Sequence, residues 1–247
     1  MAKSKIDYAD WSWGIVDGCT HAKRPGCDNC YARAMADRFW GERKFSDVRI
    51  HPERLDEVIK LKSQIIFVAP LGDLFHPLVP TDFIYDVFMV MGFRAPQHKY
   101  IIFTKRPERM RDFINRYSEF SLKDNIWLGV SISTQKDADD FIPILCDTLI
   151  MKRIISAEPL LESINLRLGK MHDRFLRSSL IDGVFAGCES GAHRRKAEIN
   201  WFRFLRGQCF DYGIPFYLKQ MEIEGKIVHK PFLDGKQWLE YPDNRGV

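Results

Sequence analysis

Seven apolar, partly β-branched runs recur along the chain, and most are followed by a turn and then by a stretch with helical spacing. Parallel strands need a crossover of that kind, usually a helix, so the pattern predicts an α/β protein. Strands are expected over 12–16, 65–69, 100–103, 126–131, 153–157, 183–186 and 215–218. Helices are expected over 31–39, 82–91, 107–117, 135–145 and 198–212. In the stretch 82–91 the apolar residues Phe83, Ile84, Val87, Phe88 and Met91 make the stripe of a helix lying on a sheet. With 247 residues, 45% of them hydrophobic, the chain can bury one substantial core or two small ones, which excludes a disordered tail protein.

The strand ends carry polar residues that a purely structural turn does not require. They read Leu71-Gly-Asp73, Thr104-Lys-Arg106, Ser131-Ile-Ser133, Ser156-Ala-Glu158, Gly187-Cys-Glu-Ser190 and Lys219-Gln220. In barrels and half-barrels of parallel strands this rim is where substrates and cofactors sit. Helix capping is the rival explanation for each Ser or Asp. It suits Lys105, Glu158, Glu189 and Lys219 poorly, since none of these is a good cap.

Lys and Arg number 37 against 33 Asp and Glu, and a net charge of +4 permits an anionic partner without requiring one. No apolar run approaches the roughly 18 residues of a membrane span, and the first residues lack the apolar stretch of a secretory signal. A cytoplasmic protein is expected. Reducing conditions then argue against disulfides for the six cysteines and in favour of metal binding or catalysis.

Three of the six fall within twelve positions, in Asp17-Gly-Cys19-Thr-His21-Ala-Lys-Arg-Pro25-Gly-Cys27-Asp-Asn-Cys30. A Cys-x-x-Cys turn can bring two thiolates to one metal, and Pro25-Gly26 bends the chain to return Cys19. With His21 as fourth ligand the set is Cys3His, a closed zinc site that staples the loop. With His21 elsewhere, three thiolates could hold a [4Fe-4S] cluster whose fourth iron stays open for S-adenosylmethionine. The loop follows the first strand, on the same rim as the other polar ends. Cys146 and Cys209, in apolar helical contexts, read as core.

Taken together, Gly18-Cys19-Thr20, Pro25-Gly-Cys-Asp-Asn-Cys-Tyr-Ala32, Gly72-Asp-Leu-Phe-His76, Thr104-Lys-Arg-Pro-Glu-Arg-Met110, Trp127-Leu-Gly-Val-Ser131, Ser156-Ala-Glu-Pro-Leu-Leu161, Glu189-Ser-Gly191 and Pro215-Phe-Tyr-Leu-Lys-Gln220 resemble the phage-associated three-Cys-motif family. That family has been grouped with radical S-adenosylmethionine proteins and with spore photoproduct lyase-like repair enzymes. The first cysteine gap is seven residues here, where radical enzymes of the superfamily usually have three, and the longer gap is typical of the three-Cys-motif family.

The resemblance spans Trp11 to Gln220 and implies a partial (β/α) barrel over 1–220, with the cluster loop 17–31 at its C-terminal rim and an extension over 221–247. It implies a radical enzyme that cleaves S-adenosylmethionine to a 5′-deoxyadenosyl radical and acts on DNA or another nucleic acid, with lesion repair favoured. A flavodoxin or ferredoxin would be the electron donor.

On that template Cys19, Cys27 and Cys30 bind the cluster, and Asp73 meets the methionine amino group. Ser131, Ser133 and Glu158 contact the ribose. Lys105 and Glu189 work at the substrate, and Cys188 serves as a hydrogen-atom donor. Arg106, Arg194, Arg195 and Lys219 are the cations expected to meet phosphate. A buried Glu–Lys pair without a catalytic role, with a lysine such as Lys219, is the rival reading for Glu158 and Glu189. The rival for the whole protein is a zinc-stapled, non-catalytic nucleic-acid-binding protein.

Overall fold

The computed structural model describes residues 1–170, 172–173, 178–191 and 193–243. Its contacts divide the chain into two compact units. The first comprises Met1–Lys23, Cys30–Gly129 and Thr148–Lys152, and the second Arg24–Asn29, Val130–Asp147 and Arg153–Val247. The fold is mixed α/β, and the sheet is mostly parallel in both units.

In the first unit β1 (Ala2–Lys3) pairs antiparallel with β2 (Trp11–Trp13). A second, small sheet joins β3 (Val16–Gly18) to β4 (Arg49–Ile50). Next along the chain come β5 (Ile65–Val68), which is parallel to β2, and β6 (Leu71–Gly72), which is parallel to β3. β7 (Lys99–Thr104) then lies parallel to β5. The strand expected over 12–16 is therefore two strands in two sheets. The chain leaves the first at Gly14–Ile15 and enters the second at Val16. β8 (Ile126–Ile132) is buried along its whole length, which explains its unbroken apolar run, since a strand covered on both faces has no polar side to alternate with.

The helices of this unit lie where the sequence pattern places them, within two residues at each end. α1 (Tyr31–Phe39) buries only Ala32 and Ala36, one turn apart, against Phe45. α2 (Thr81–Met89) buries Phe83, Ile84, Val87 and Phe88 and ends in a π-turn over Val90–Arg94. α3 (Pro107–Arg116) starts on a proline, whose fixed φ suits the first helical turn, and buries Met110, Phe113 and Ile114. Phe88 and Phe113 meet at 5.1 Å between ring centres, and Phe88 and Phe120 at 5.2 Å, so aromatic packing joins α2 to α3 and the turn after it.

In the second unit α4 (Gln135–Cys146) opens with a capping box between Thr134 and Asp137. β9 (Lys152–Ala157) lies next, followed by the short pair β10 (His172–Asp173) and β11 (Ser178–Ser179). β12 (Gly183–Gly187) is parallel to β9, and α5 (Ile199–Asp211) returns the chain to β13 (Phe216–Ile223), parallel to β12.

The boundary expected after Gln220 falls inside β13. Beyond it the chain makes two hairpins, β13 with β14 (Lys226–His229) and β15 (Phe232–Leu233) with β16 (Lys236–Gln237). Their turns, Glu224-Gly225 and Asp234-Gly235, have positive φ at both positions, the conformation of a tight two-residue hairpin turn. Of the extension expected over 221–247, residues 244–247 lie outside the described residues. Among the described residues no helix is long and apolar enough to cross a membrane.

Candidate functional site

The cysteine segment begins where β3 ends. Gly18 has φ +82, and a Cβ there would sit 2.5 Å from the Asp47 carbonyl oxygen, so only glycine lets the chain pass at this point. Asp17 just before it accepts from Arg43 at 2.5 Å and pairs with His51 Nε2 at 3.0 Å. Burial works against its charge, but these two partners bring its pKa below the ordinary value.

Within the first unit, the end of β7 and the segment after β6 build one polar network. Asp73 is buried. Its Oδ1 accepts from the Phe75 amide at 2.9 Å and the Thr104 hydroxyl at 2.8 Å, and its Oδ2 from Arg106 at 2.7 Å. Both oxygens expected to face a methionine amino group are thus engaged inside the protein. Arg106 also donates to the Thr20 carbonyl at 2.9 Å. Burial opposes its charge, yet Asp73 and the neighbouring Cys19 sulfur push its pKa up.

His76, missed in the sequence reading, is the other member of this network. Its Nδ1 accepts from the Leu78 amide at 3.2 Å, so Nε2 carries the proton and donates to Thr20 Oγ1 at 2.8 Å. Burial first, then the nearby Arg106, lowers its pKa. A histidine four positions beyond Gly72 in the quoted motif was the available signal. Lys105 is half-buried next to this network.

Cys19 and Cys30 are half-buried and pack against the same small apolar cluster of Ala32, Ala36 and Phe45. A cavity of about 320 Å³ in this unit is lined by Cys19, Thr20, His21, Arg33, Asp37 and Lys44 together with Phe45 and Ser46. His21 Nδ1 accepts from the Lys23 amide at 2.8 Å.

The turn that carries Cys27 belongs by its contacts to the second unit. Arg24 reaches Asp140 at 2.6 Å and Asp137 at 3.4 Å, and its guanidinium lies 4.5 Å from the centre of the Phe141 ring, all on α4. Asn29 donates to Glu189 at 2.9 Å, and Arg195 Nη2 donates to Glu189 Oε1 at 2.5 Å and to the Pro25 carbonyl at 2.8 Å. Glu189 is only 3% exposed. Burial raises its pKa, but Arg195 and Asn29 outweigh that and leave it below the ordinary value.

The strand ends of this unit hold a second pair: Lys219 on β13 donates to Glu158 at 2.7 Å, and Ser156 Oγ stands 3.3 Å from the same carboxylate. Ser131 Oγ donates to the Glu158 carbonyl at 3.1 Å. Ser133 Oγ is fully buried, with no hydrogen-bond partner among the described residues. Arg194 pairs with Glu222 at 2.5 Å.

The four cations expected at phosphate, Arg106, Arg194, Arg195 and Lys219, are therefore each bound to an acid of their own unit. Cys188 is buried; its amide donates to the Gln220 carbonyl at 3.1 Å, its carbonyl accepts from Gln220 Nε2 at 2.8 Å, and burial pushes its thiol up to about 11. Cys146 is likewise pushed up to about 11 by burial, and Cys209 is raised as well.

Among the described residues no group of three or more His, Cys, Asp or Glu side chains is gathered to hold a metal ion. In kind, however, the donors fit a thiophilic centre. Cys19, Cys27 and Cys30 form no disulfide and are half-buried, whereas Cys188 and Cys209 are packed as core.

A family described as "Protein of unknown function (DUF5131)" matches residues 3–242. Comparison with curated proteins gives no match. Among solved structures, spore photoproduct lyase complexed with dinucleoside spore photoproduct matches with a TM-score of 0.49 and 11% identity, over 84% of this chain and 62% of that one. The chain thus spans less than two thirds of that protein's length.

Proposed function

The chain belongs to the DUF5131 family of proteins of unknown function, and from its own residues we propose that it is a radical S-adenosylmethionine enzyme. In this reading the parallel strands form a partial (β/α) barrel, and Cys19, Cys27 and Cys30 hold a [4Fe-4S] cluster. The substrate is a nucleic acid, DNA-lesion repair is the activity, and a flavodoxin or ferredoxin supplies electrons. The sequence motifs support the substrate class.

The observation that carries the reading is the grouping of the cysteines: three that form no disulfide fall within twelve residues and are half-buried, whereas Cys188 and Cys209 are buried in the core. Bound there, the cluster would supply the electron that cleaves S-adenosylmethionine.

The chain's own groups have separable parts in this proposal. Arg106, held by Asp73, fixes the Thr20 carbonyl next to Cys19. Glu158 and Lys219 neutralise one another, and the pair together with Ser131 and Ser133 offers polar atoms at the strand ends for a ribose. Cys188 keeps its proton at neutral pH, so it presents an S–H bond, the form a hydrogen-atom donor needs.

Anaerobic purification with metal and sulfide analysis tests the proposal. About four iron and four sulfide per chain are expected, as for one cluster of this type. Replacing His21 by Ala should leave that iron in place. The rival is a Cys3His zinc site in a nucleic-acid-binding protein without catalysis, favoured by one observation, that Cys19 and His21 line the same cavity. Stoichiometric zinc with no iron uptake would establish it instead.

A further inference from the structure

The Cys27 turn is short and contains Gly26. Its internal hydrogen bonds are the Cys27 amide to the Arg24 carbonyl at 2.9 Å and the Asp28 amide to the Pro25 carbonyl at 3.2 Å. No apolar side chain of the turn is buried. A six-residue segment of this kind has no reason to keep one conformation unless something outside it supplies the restraint, because each ordered residue costs conformational entropy.

Four contacts from the segment after β12 supply it. The buried Glu189 carboxylate is the centre: Oε2 accepts from Asn29 Nδ2 at 2.9 Å and from the Arg195 amide at 2.8 Å, while Oε1 accepts from Arg195 Nη2 at 2.5 Å. Arg195 then reaches back over the turn, donating to the Pro25 carbonyl at 2.8 Å and standing 3.3 Å from Asp28 Oδ2. Asn29 also donates to the His193 carbonyl at 3.2 Å. Both ends of the turn and its middle are thus tied to one carboxylate and one guanidinium. At the Arg24 end, Asp140 on α4 adds an independent anchor at 2.6 Å.

We infer that Glu189 and Arg195 are positioning residues, which hold the Cys27 turn ready for metal before any metal binds. A guanidinium suits this role because its donors are fixed in one plane and can serve a carboxylate and a carbonyl at once, which a lysine ammonium on a flexible stem does not reproduce. The carboxylate suits it because its acceptor positions are taken up within the protein, leaving Glu189 no part in proton transfer to a substrate. Arg195 accordingly spends its charge on the turn instead of on phosphate. The inference rests on the metal reading only for its consequence, metal affinity, and applies to iron and to zinc alike.

The test uses the full chain, purified without metal. Alkylation of each cysteine by iodoacetamide is followed by mass spectrometry in wild type, Arg195→Ala, Arg195→Lys and Glu189→Gln. Arg195→Ala is expected to accelerate Cys27 several-fold relative to Cys19 and Cys30 and to leave the buried Cys209 as slow as before. Arg195→Lys should restore part of the protection.

Titration with Co2+ against a competing chelator reads the consequence. Loss of a partner that orients a ligand typically costs 10- to 100-fold in metal affinity, and Arg195→Ala and Glu189→Gln should fall in that range. Unchanged Cys27 labelling and unchanged Co2+ affinity would overturn the inference, and so would equal acceleration of Cys27 and Cys209, which signals general loosening. If the wild type takes up no Co2+, the metal reading fails, and the Cys27 labelling ratio alone then decides whether the clamp exists.

Discussion

Replacing Asp73 by Asn removes one charge from the polar network of the first unit while keeping its shape. Asp73 and Arg106 lie 2.7 Å apart with side-chain exposures of 8% and 14%, so the surviving guanidinium would be left largely desolvated and without its counter-charge. Breaking a buried ion pair from one side costs roughly 3–5 kcal/mol. Arg106 keeps its bond to the Thr20 carbonyl and some solvent, which places the expected loss at the lower end, about 3 kcal/mol. For a chain of this length that corresponds to a fall of about 6–12 °C in melting temperature.

Asp73→Ala also orphans the Thr104 hydroxyl and the Phe75 amide, and the loss should grow to about 5 kcal/mol at roughly 1 kcal/mol per bond. Urea unfolding followed by circular dichroism measures both. Arg106→Met completes a double-mutant cycle: combined with Asp73→Asn it should cost much less than the sum of the single losses, because neither charge is then left alone. If Asp73→Asn unfolds within about 0.5 kcal/mol of wild type, the range of ordinary surface substitutions, the pair is solvated in solution and the reasoning fails.

His76 supplies a pH dependence. Its folded pKa lies below the ordinary 6.5, so protonation favours the unfolded chain, and stability should decline as pH falls from about 6.5 through the lower folded value; unfolding of His76→Gln should lack that decline. Asp17 acts in the same direction at lower pH: its folded pKa is depressed, so its contribution is complete above the ordinary 3.8 and disappears as pH falls below it, and Asp17→Asn should flatten the acid limb of a melting-temperature curve. Gly18→Ala combines a φ of +82 with a Cβ 2.5 Å from a carbonyl oxygen, and should be among the most destabilising single substitutions in the chain, read as loss of folded protein or of melting temperature. Cys188 should resist alkylation at pH 8 and react faster only as the pH nears 11; rapid labelling at pH 8 would show that its thiol is not buried.

Much of the fold is legible along the chain because periodicity and turn chemistry are carried by neighbouring residues. The stripe of α2, the start of α4 at Gln135 and Pro107 at the start of α3 all read directly from the sequence. The strand expected over 12–16 is the exception. Its apolar character is right, but nothing local says that Trp13 pairs toward β5 while Val16 pairs with Ile50. The tail after Gln220 was illegible for a related reason: its strands are short and partly exposed, so they lack an apolar period, although their Glu-Gly and Asp-Gly turns carry the hairpin signal.

The candidate site divides in the same way. The sequence by itself determined which residue types stand at the strand ends and where three thiols cluster, since motif and spacing are local properties. Only the tertiary structure decided what those residues do with their charge. Asp73 and Arg106 are 33 positions apart, and Glu158 and Lys219 are 61 apart. Arg195 reaches a carbonyl 170 positions away. Whether such a cation meets an internal acid or stays available to a ligand depends on which strand lies beside which, and no short-range pattern records that order.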